Sequence, residues 1–220
     1  MSLSLAPSRP VLADRVLPAV LRLSKGGSLA TDAALVLGGA ALTAGLAQLY
    51  IPMWPVPMTG QTFAVLLVGT VLGSLRGSLS MALYLVAGVA GAPVFAEHKS
   101  GSLFALTSGG FIIGFIAAAA LVGWLAQRRW DRRIVGTIVS FVAGTAVMYA
   151  FGLPWLAATL GNLGPSVWHD LLHYDSLGAA VWGAGVAPFL IGDAVKAVAA
   201  GLLLPGAWLL VRRAEASKRA

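Results

Sequence analysis

One stretch of this sequence constrains the fold more than any other. Residues 110–127 run from Gly110 to Gln127 without a single charged side chain. A bilayer core about 30 Å thick takes about 20 apolar residues of helix to cross. Five further apolar runs follow the same plan with little or no charge, at 31–50, 61–75, 78–92, 134–156 and 185–211. Hydrophobic residues make up 58% of the chain and charged residues 10%, against about 25% charge in an ordinary soluble domain. Mean hydropathy is +0.85, more apolar surface than one soluble core of 220 residues hides. Soluble enzymes, disordered chains and fibres are excluded. The expected fold is all-α, an integral membrane bundle of six transmembrane helices. The lone prolines and many glycines inside the runs are ordinary in such helices, whose neighbours satisfy the freed backbone groups. Cysteine is absent, which excludes disulfides, thiolate metal sites and cysteine nucleophiles.

The formal charge of +7 would suggest nucleic acid in a soluble protein, but no arginine stripe interleaves with stacking aromatics. The basic residues cluster between the apolar runs instead. With both termini cytoplasmic, 13 of the 15 lysines and arginines fall on the inner side. They are Arg9, Arg15, Arg22, Lys25, Arg76, Arg128, Arg129, Arg132, Arg133, Arg212, Arg213, Lys218 and Arg219. Lys99 alone faces outside, and Lys196 lies inside the sixth run. This asymmetry follows the positive-inside rule and needs an even number of spans. Residues 1–29 read as a cytoplasmic tail: Pro18 and scattered arginines interrupt any secretory signal, and part of the tail could lie on the membrane surface. Residues 30–211 form the bundle and residues 212–220 a second cytoplasmic tail. The outer loops, 51–60, 92–109 and 157–183, are the long ones, and long ordered loops usually carry function.

Asp193 and Lys196 are the most informative polar residues. Three apart on a helix, they share a face. Each would cost about 2.5–3.5 kcal/mol if left unpaired near the centre of a span. Either they neutralise each other and lock helices together, or they face the bundle interior as a polar site with donors on Lys196 and acceptors on Asp193. Gly192 beside them permits close approach. Gln61 at the start of the second run either caps a helix or offers its amide to a ligand. Trp54 and Phe95 in the outer loops are interfacial anchors or apolar walls. Glu97-His98-Lys99 is a solvated loop tip, or a lid bringing Lys99 to an anion. His169 and His173, four apart, could share a helix face over a metal, but without a third ligand a polar surface turn is the better reading. No metal site is therefore expected. In the first run Ala30 and Ala34, Ala40 and Ala44, and Ala41 and Gly45 have the small-xxx-small spacing that lets helices pack closely, inside the bundle or against a partner. No lysine sits in a phosphate-binding loop motif, so the chain has no route of that kind to ATP. No inverted repeat and no arginine-bearing span of a voltage sensor is visible.

Four blocks, in order, resemble the BioY family. They are Ile51-Pro52 with Pro55-Val56-Pro57-Met58-Thr59-Gly60-Gln61-Thr62-Phe63, then Leu83-Tyr84-Leu85 with Gly91-Ala92-Pro93-Val94-Phe95-Ala96, then Ser108-Gly109-Gly110-Phe111-Ile112-Ile113-Gly114-Phe115, and Pro188-Phe189-Leu190-Ile191-Gly192-Asp193-Ala194-Val195-Lys196. The similarity extends over about residues 30–210. It implies a six-helix substrate component of an energy-coupling factor transporter, in the cytoplasmic membrane of a bacterium, that captures biotin without chemistry or a cofactor. The implied partners are a transmembrane coupling protein and a pair of cytoplasmic ATPases; self-association stays open. In such a protein Asp193 suits the ureido N–H groups of biotin, and Lys196 its ureido carbonyl or its carboxylate. Gln61 and Lys99 are candidates for the other end, with Phe95 as an apolar wall. The family also implies that the coupling protein docks on a small-residue face of the first helix, for which Ala30, Ala34, Ala40 and Ala44 are the candidates. The alternatives are a substrate component for another small vitamin, a membrane-embedded enzyme using Asp193 and the histidines, or an assembly protein acting through helix packing alone.

Overall fold

The computed structural model describes residues 10–20 and 28–217. The described part is helical: α1 (Leu12–Val20), α2 (Ser28–Ala47), α3 (Gln61–Leu72), α4 (Ser74–Val89), α5 (Gly109–Gln127), α6 (Ile134–Leu163), α7 (Leu177–Gly185) and α8 (Phe189–Ser217). All six apolar runs fall on helices. A two-residue ribbon, β1 (Tyr50–Ile51) with β2 (Met58–Thr59), closes the loop after α2, pairing Tyr50 with Thr59 and Ile51 with Met58.

α5 is the hub. Small residues along it (Gly110, Gly114, Ala118, Ala119, Gly123) let α3, α4 and α6 approach its axis, and twelve of its residues are buried. α3 and α4 form a hairpin turned by Gly73 alone, whose φ of 87° is open to glycine and strained for other residues. Gly77 lies in α4 against Gly69 of α3, where a Cβ would come within 2.7 Å of the Gly69 Cα. Leu29–Ala47, Gly109–Gln127, Ile134–Leu163 and Leu177–Ser217 are long and apolar enough to cross a membrane, while α3 and α4 are shorter apolar helices. Large apolar side chains point outward, among them Ile191 at 79% and Val135 at 72% exposure. In water that surface would be costly; against lipid tails it is not.

Three segments differ from expectation. The N-terminal segment read as a tail contributes α1, whose flank buries Val11, Leu12 and Ala13 against the bundle. Arg76 holds it there. This guanidinium, 4% exposed, pairs with Asp14 of α1 and Asp32 of α2, each at 2.6 Å. The last outer loop is also more ordered than a loop: α6 continues through Pro154 to Leu163, a π-helical turn covers Ser166–Leu171, and α7 follows. Finally, α8 runs past 211 into the segment read as a C-terminal tail.

Candidate ligand-binding site

The loops after α2 and α4 close over one end of the bundle through side-chain clamps. Gln48 donates its amide to the Phe95 carbonyl at 3.0 Å and accepts the His98 N–H at 3.1 Å. The Tyr84 hydroxyl donates to the Val94 carbonyl at 3.0 Å, and the Trp155 indole to the Leu106 carbonyl at 3.0 Å. Thr107 donates its hydroxyl to the Pro55 carbonyl, joining the 92–109 segment to the ribbon loop. Each clamp spends a side chain on backbone that helices cannot satisfy.

Beneath these loops lies a cavity between α3, α5, α6 and α8. One wall is apolar: Phe111, Ile112, Phe115, Met148 and Phe189. The other is polar and comes from three helices. Tyr149 of α6 donates to Asp193 Oδ2 at 2.7 Å. Lys196 Nζ donates to Thr62 Oγ1 of α3 at 2.7 Å and stands 3.5 Å from Asp193 Oδ1. The Asp193 and Lys196 side chains are 14% and 20% exposed. They are thus neither an isolated pair nor solvated. Asp193 keeps one oxygen only loosely engaged, and the ammonium has three donors for two partners. A ligand with both N–H donors and a carbonyl could complete both groups.

Gln61 lines the same cavity but is already engaged. Its Oε1 accepts from Thr59 Oγ1 at 2.9 Å and its amide donates to the Tyr84 hydroxyl at 2.5 Å. At 6% exposure it orders the wall and keeps one amide hydrogen to offer. A second recess of about 280 Å³ sits above, sharing Pro57, Gln61, Ser108 and Ile112 with the deeper cavity. Phe95 and Lys99 line this outer recess. Phe95 is 1% exposed, edge-on to Tyr84 at 5.5 Å and seated on Gly88, where a Cβ would strike its ring. It anchors the loop and forms part of the recess wall. Lys99 is ion-paired with Glu97 at the rim, and its side chain is 54% exposed. Trp54 also lines the rim. His169 faces outward, its Nδ1 2.9 Å from Asp170.

The four alanines of the first run differ in exposure. Ala30 and Ala34 are exposed, Ala44 is half-buried, and Ala40 is in the core at 8% exposure. The exposed small residues that continue from Ala34 are Gly38, Ala41 and Gly45, and nothing lies within 4 Å of a Cβ built at Gly38 or Gly45.

Sequence reasoning missed Tyr149 and Thr62. A tyrosine in mid-run, away from any expected interface, was the available signal for the first. For Thr62 there was none beyond its place next to Gln61.

The sequence model described as the BioY family matches residues 18–213. A biotin transporter BioY from Rhizobium etli is 33% identical over 157 residues, covering 68% of this chain and 76% of that protein. One from Thermotoga maritima is 37% identical over 136 residues, covering 57% and 79% respectively. A probable biotin transporter BioY from Pyrococcus horikoshii is 34% identical over 175 residues, covering 79% and 94%. Among solved structures, the S-component for biotin from an ECF-type ABC transporter, a crystal structure at 2.1 Å, superposes with a TM-score of 0.66. It is 20% identical, with 83% of this chain and 93% of that chain covered. That likeness establishes a shared fold.

Proposed function

The chain belongs to the BioY family, and from that premise we propose that it captures biotin at the membrane as the substrate component of an energy-coupling factor transporter. It binds and releases its ligand and does no chemistry on it. The observation that carries this reading is the cavity wall made by Asp193, Tyr149, Lys196 and Thr62 opposite the aromatic and methionine wall. Biotin is built the same way, with a ureido ring of two N–H donors and one carbonyl fused to an apolar thioether ring. A buried carboxylate beside an ammonium answers the ureido group, and the aromatic wall answers the fused ring. Its valerate tail then rises toward the outer recess, where Gln61 and Lys99 stand. Isothermal titration of the purified protein with biotin tests this, with thiamine and riboflavin as competitors. Saturable biotin binding that neither vitamin displaces is expected; displacement by either would move the chain to another vitamin.

The topology that goes with this function has six spans, both termini in the cytoplasm and the loop end outside, in a bacterial cytoplasmic membrane. Four stretches have the length and apolarity to span, and the α3–α4 hairpin crosses between α2 and α5 as a shorter pair. The arginines at the opposite end favour the cytoplasmic side. A chain with no nucleotide motif depends on partners for ATP, namely a transmembrane coupling protein and a pair of ATPases. The exposed face of α2 through Ala30, Ala34, Gly38, Ala41 and Gly45 is where the coupling protein docks. Ala40 and Ala44 support α2 from within.

A further inference from the structure

At the end of the bundle away from the clamped loops, a cavity of about 910 Å³ is lined by Arg15, Arg128, Arg129, Arg132, Arg133 and Arg212. Among the described residues Glu215 is the only carboxylate in the lining, and it is ion-paired with Arg15 at 3.1 Å. Asp131, 1% exposed, lies outside the lining and accepts from the Trp208 indole at 2.5 Å. Arg128 stacks on Trp124 at 3.6 Å, and Arg132 on Trp208 at 4.1 Å. Among the described residues Arg129, Arg133 and Arg212 form no ion pair. Burial lowers the Arg132 guanidinium from its ordinary value; Asp131 opposes the shift, and the positive charges of Arg129, Arg212 and Arg15 add to it.

So concentrated a positive charge, with so little internal compensation, fits an anion. The surroundings say what kind. Val135, 72% exposed, and Val211 line the cavity, and next to them in the chain stand the exposed apolar side chains of Ile134 on α6, at 50%, and Leu210 on α8, at 66%. Trp130, also in the lining, and Trp124 are each partly exposed, at 41% and 43%. Tryptophan and arginine together at the ends of apolar helices mark the level of lipid headgroups. A free anion would have no use for the apolar margin; a phospholipid needs both parts.

We propose that this cavity holds the phosphate of an anionic phospholipid, with its acyl chains lying along the outward apolar faces of α6 and α8. The guanidiniums of Arg129, Arg133 and Arg212 are free to donate paired N–H groups to phosphate oxygens. The site is independent of the biotin reading and requires only that the bundle be embedded in a bilayer.

Native mass spectrometry of the full chain in mild detergent tests it. The probes are phosphatidylglycerol, phosphatidylcholine of the same acyl chains, and glycerol phosphate alone. The expected result is selective retention of one phosphatidylglycerol by the parent and by R213Q, an arginine change outside the cavity lining. Interfacial charges of this kind contribute about fivefold each, so the triple variant R129Q/R133Q/R212Q should lose about a hundredfold in apparent affinity. If the triple variant does not elute as a folded monodisperse species, R129Q and R212Q singly should each lose about fivefold. Equal retention of phosphatidylcholine, equal retention by the cavity variants, or binding of glycerol phosphate as strong as that of the lipid would overturn the proposal. Lost co-purification with a coupling complex, with no lipid selectivity in the parent, would also overturn it and assign the arginines to an acidic protein surface.

Discussion

Tyr149 of α6 donates its hydroxyl to Oδ2 of Asp193 on α8, 2.7 Å away across the interhelical cavity. The bond turns the carboxylate so that Oδ1 faces Lys196, while Lys196 is held from α3 by Thr62. Three helices distant in sequence thereby fix one polar wall of the cavity.

Removing this wall one atom at a time should therefore separate ligand contact from ligand positioning. Asp193→Asn and Lys196→Met each remove a charged group and strand its partner, a loss of about 1–3 kcal/mol, or roughly ten- to a hundredfold in biotin affinity by calorimetry. Tyr149→Phe keeps the carboxylate and removes one neutral donor, so its loss should be smaller, about fivefold. Parent-like binding in all three variants would make the network structural and place the site elsewhere.

Arg76 should matter for stability and not for ligand affinity. Its side chain is 5% exposed and pairs at once with Asp14, 21% exposed, and Asp32, 1% exposed. Breaking a buried pair by removing one partner costs about 3–5 kcal/mol, most of it the charge left behind. Arg76→Ala should lower the melting temperature in detergent markedly, and Asp14→Asn should lower it less, because Asp14 retains access to solvent. The idea fails if the two variants melt together.

The topology is open to a direct check. A reporter that is active only in the cytoplasm, fused after Ala220, should be active; activity confined to an external reporter at the same position would remove the even number of spans.

What the sequence made legible was set by what each feature depends on. The apolar runs became helices because a run of that length with almost no charge has few other fates, although α6 and α8 continue past the ends of theirs. Asp193 and Lys196 stood out because charge in an apolar run is rare. Features decided by tertiary contact were invisible. α1 forms across Pro18, and its place on the bundle rests on Arg76, far along the chain. Pro154 does not end α6, since the helix is packed on both sides of it. α2 is apolar almost all round, so its sequence could not say which small residues face out. The small-xxx-small spacing therefore groups Ala40 with Ala30 and Ala34 although it is buried.

That rotation of α2 changes which substitutions test the docking face. At Gly38 and Gly45 a Cβ would meet open space, and Ala34 and Ala41 are exposed beside them. Tryptophan at position 38 or 41 should therefore be accommodated by the isolated protein and leave biotin binding intact, while holding a partner helix away by its bulk. Ala40 is the internal control. It is 8% exposed and part of the core, so Ala40→Trp should overpack the bundle, about 1–3 kcal/mol or more, and lower its melting temperature. The two effects differ in kind and need two measurements on each variant, biotin titration and co-purification with the coupling protein and its ATPases. Gly38→Trp and Ala41→Trp should keep the first and lose the second, and Ala40→Trp should lose stability and, through it, both. If Gly38→Trp and Ala41→Trp co-purify as the parent does, the partner docks on another helix.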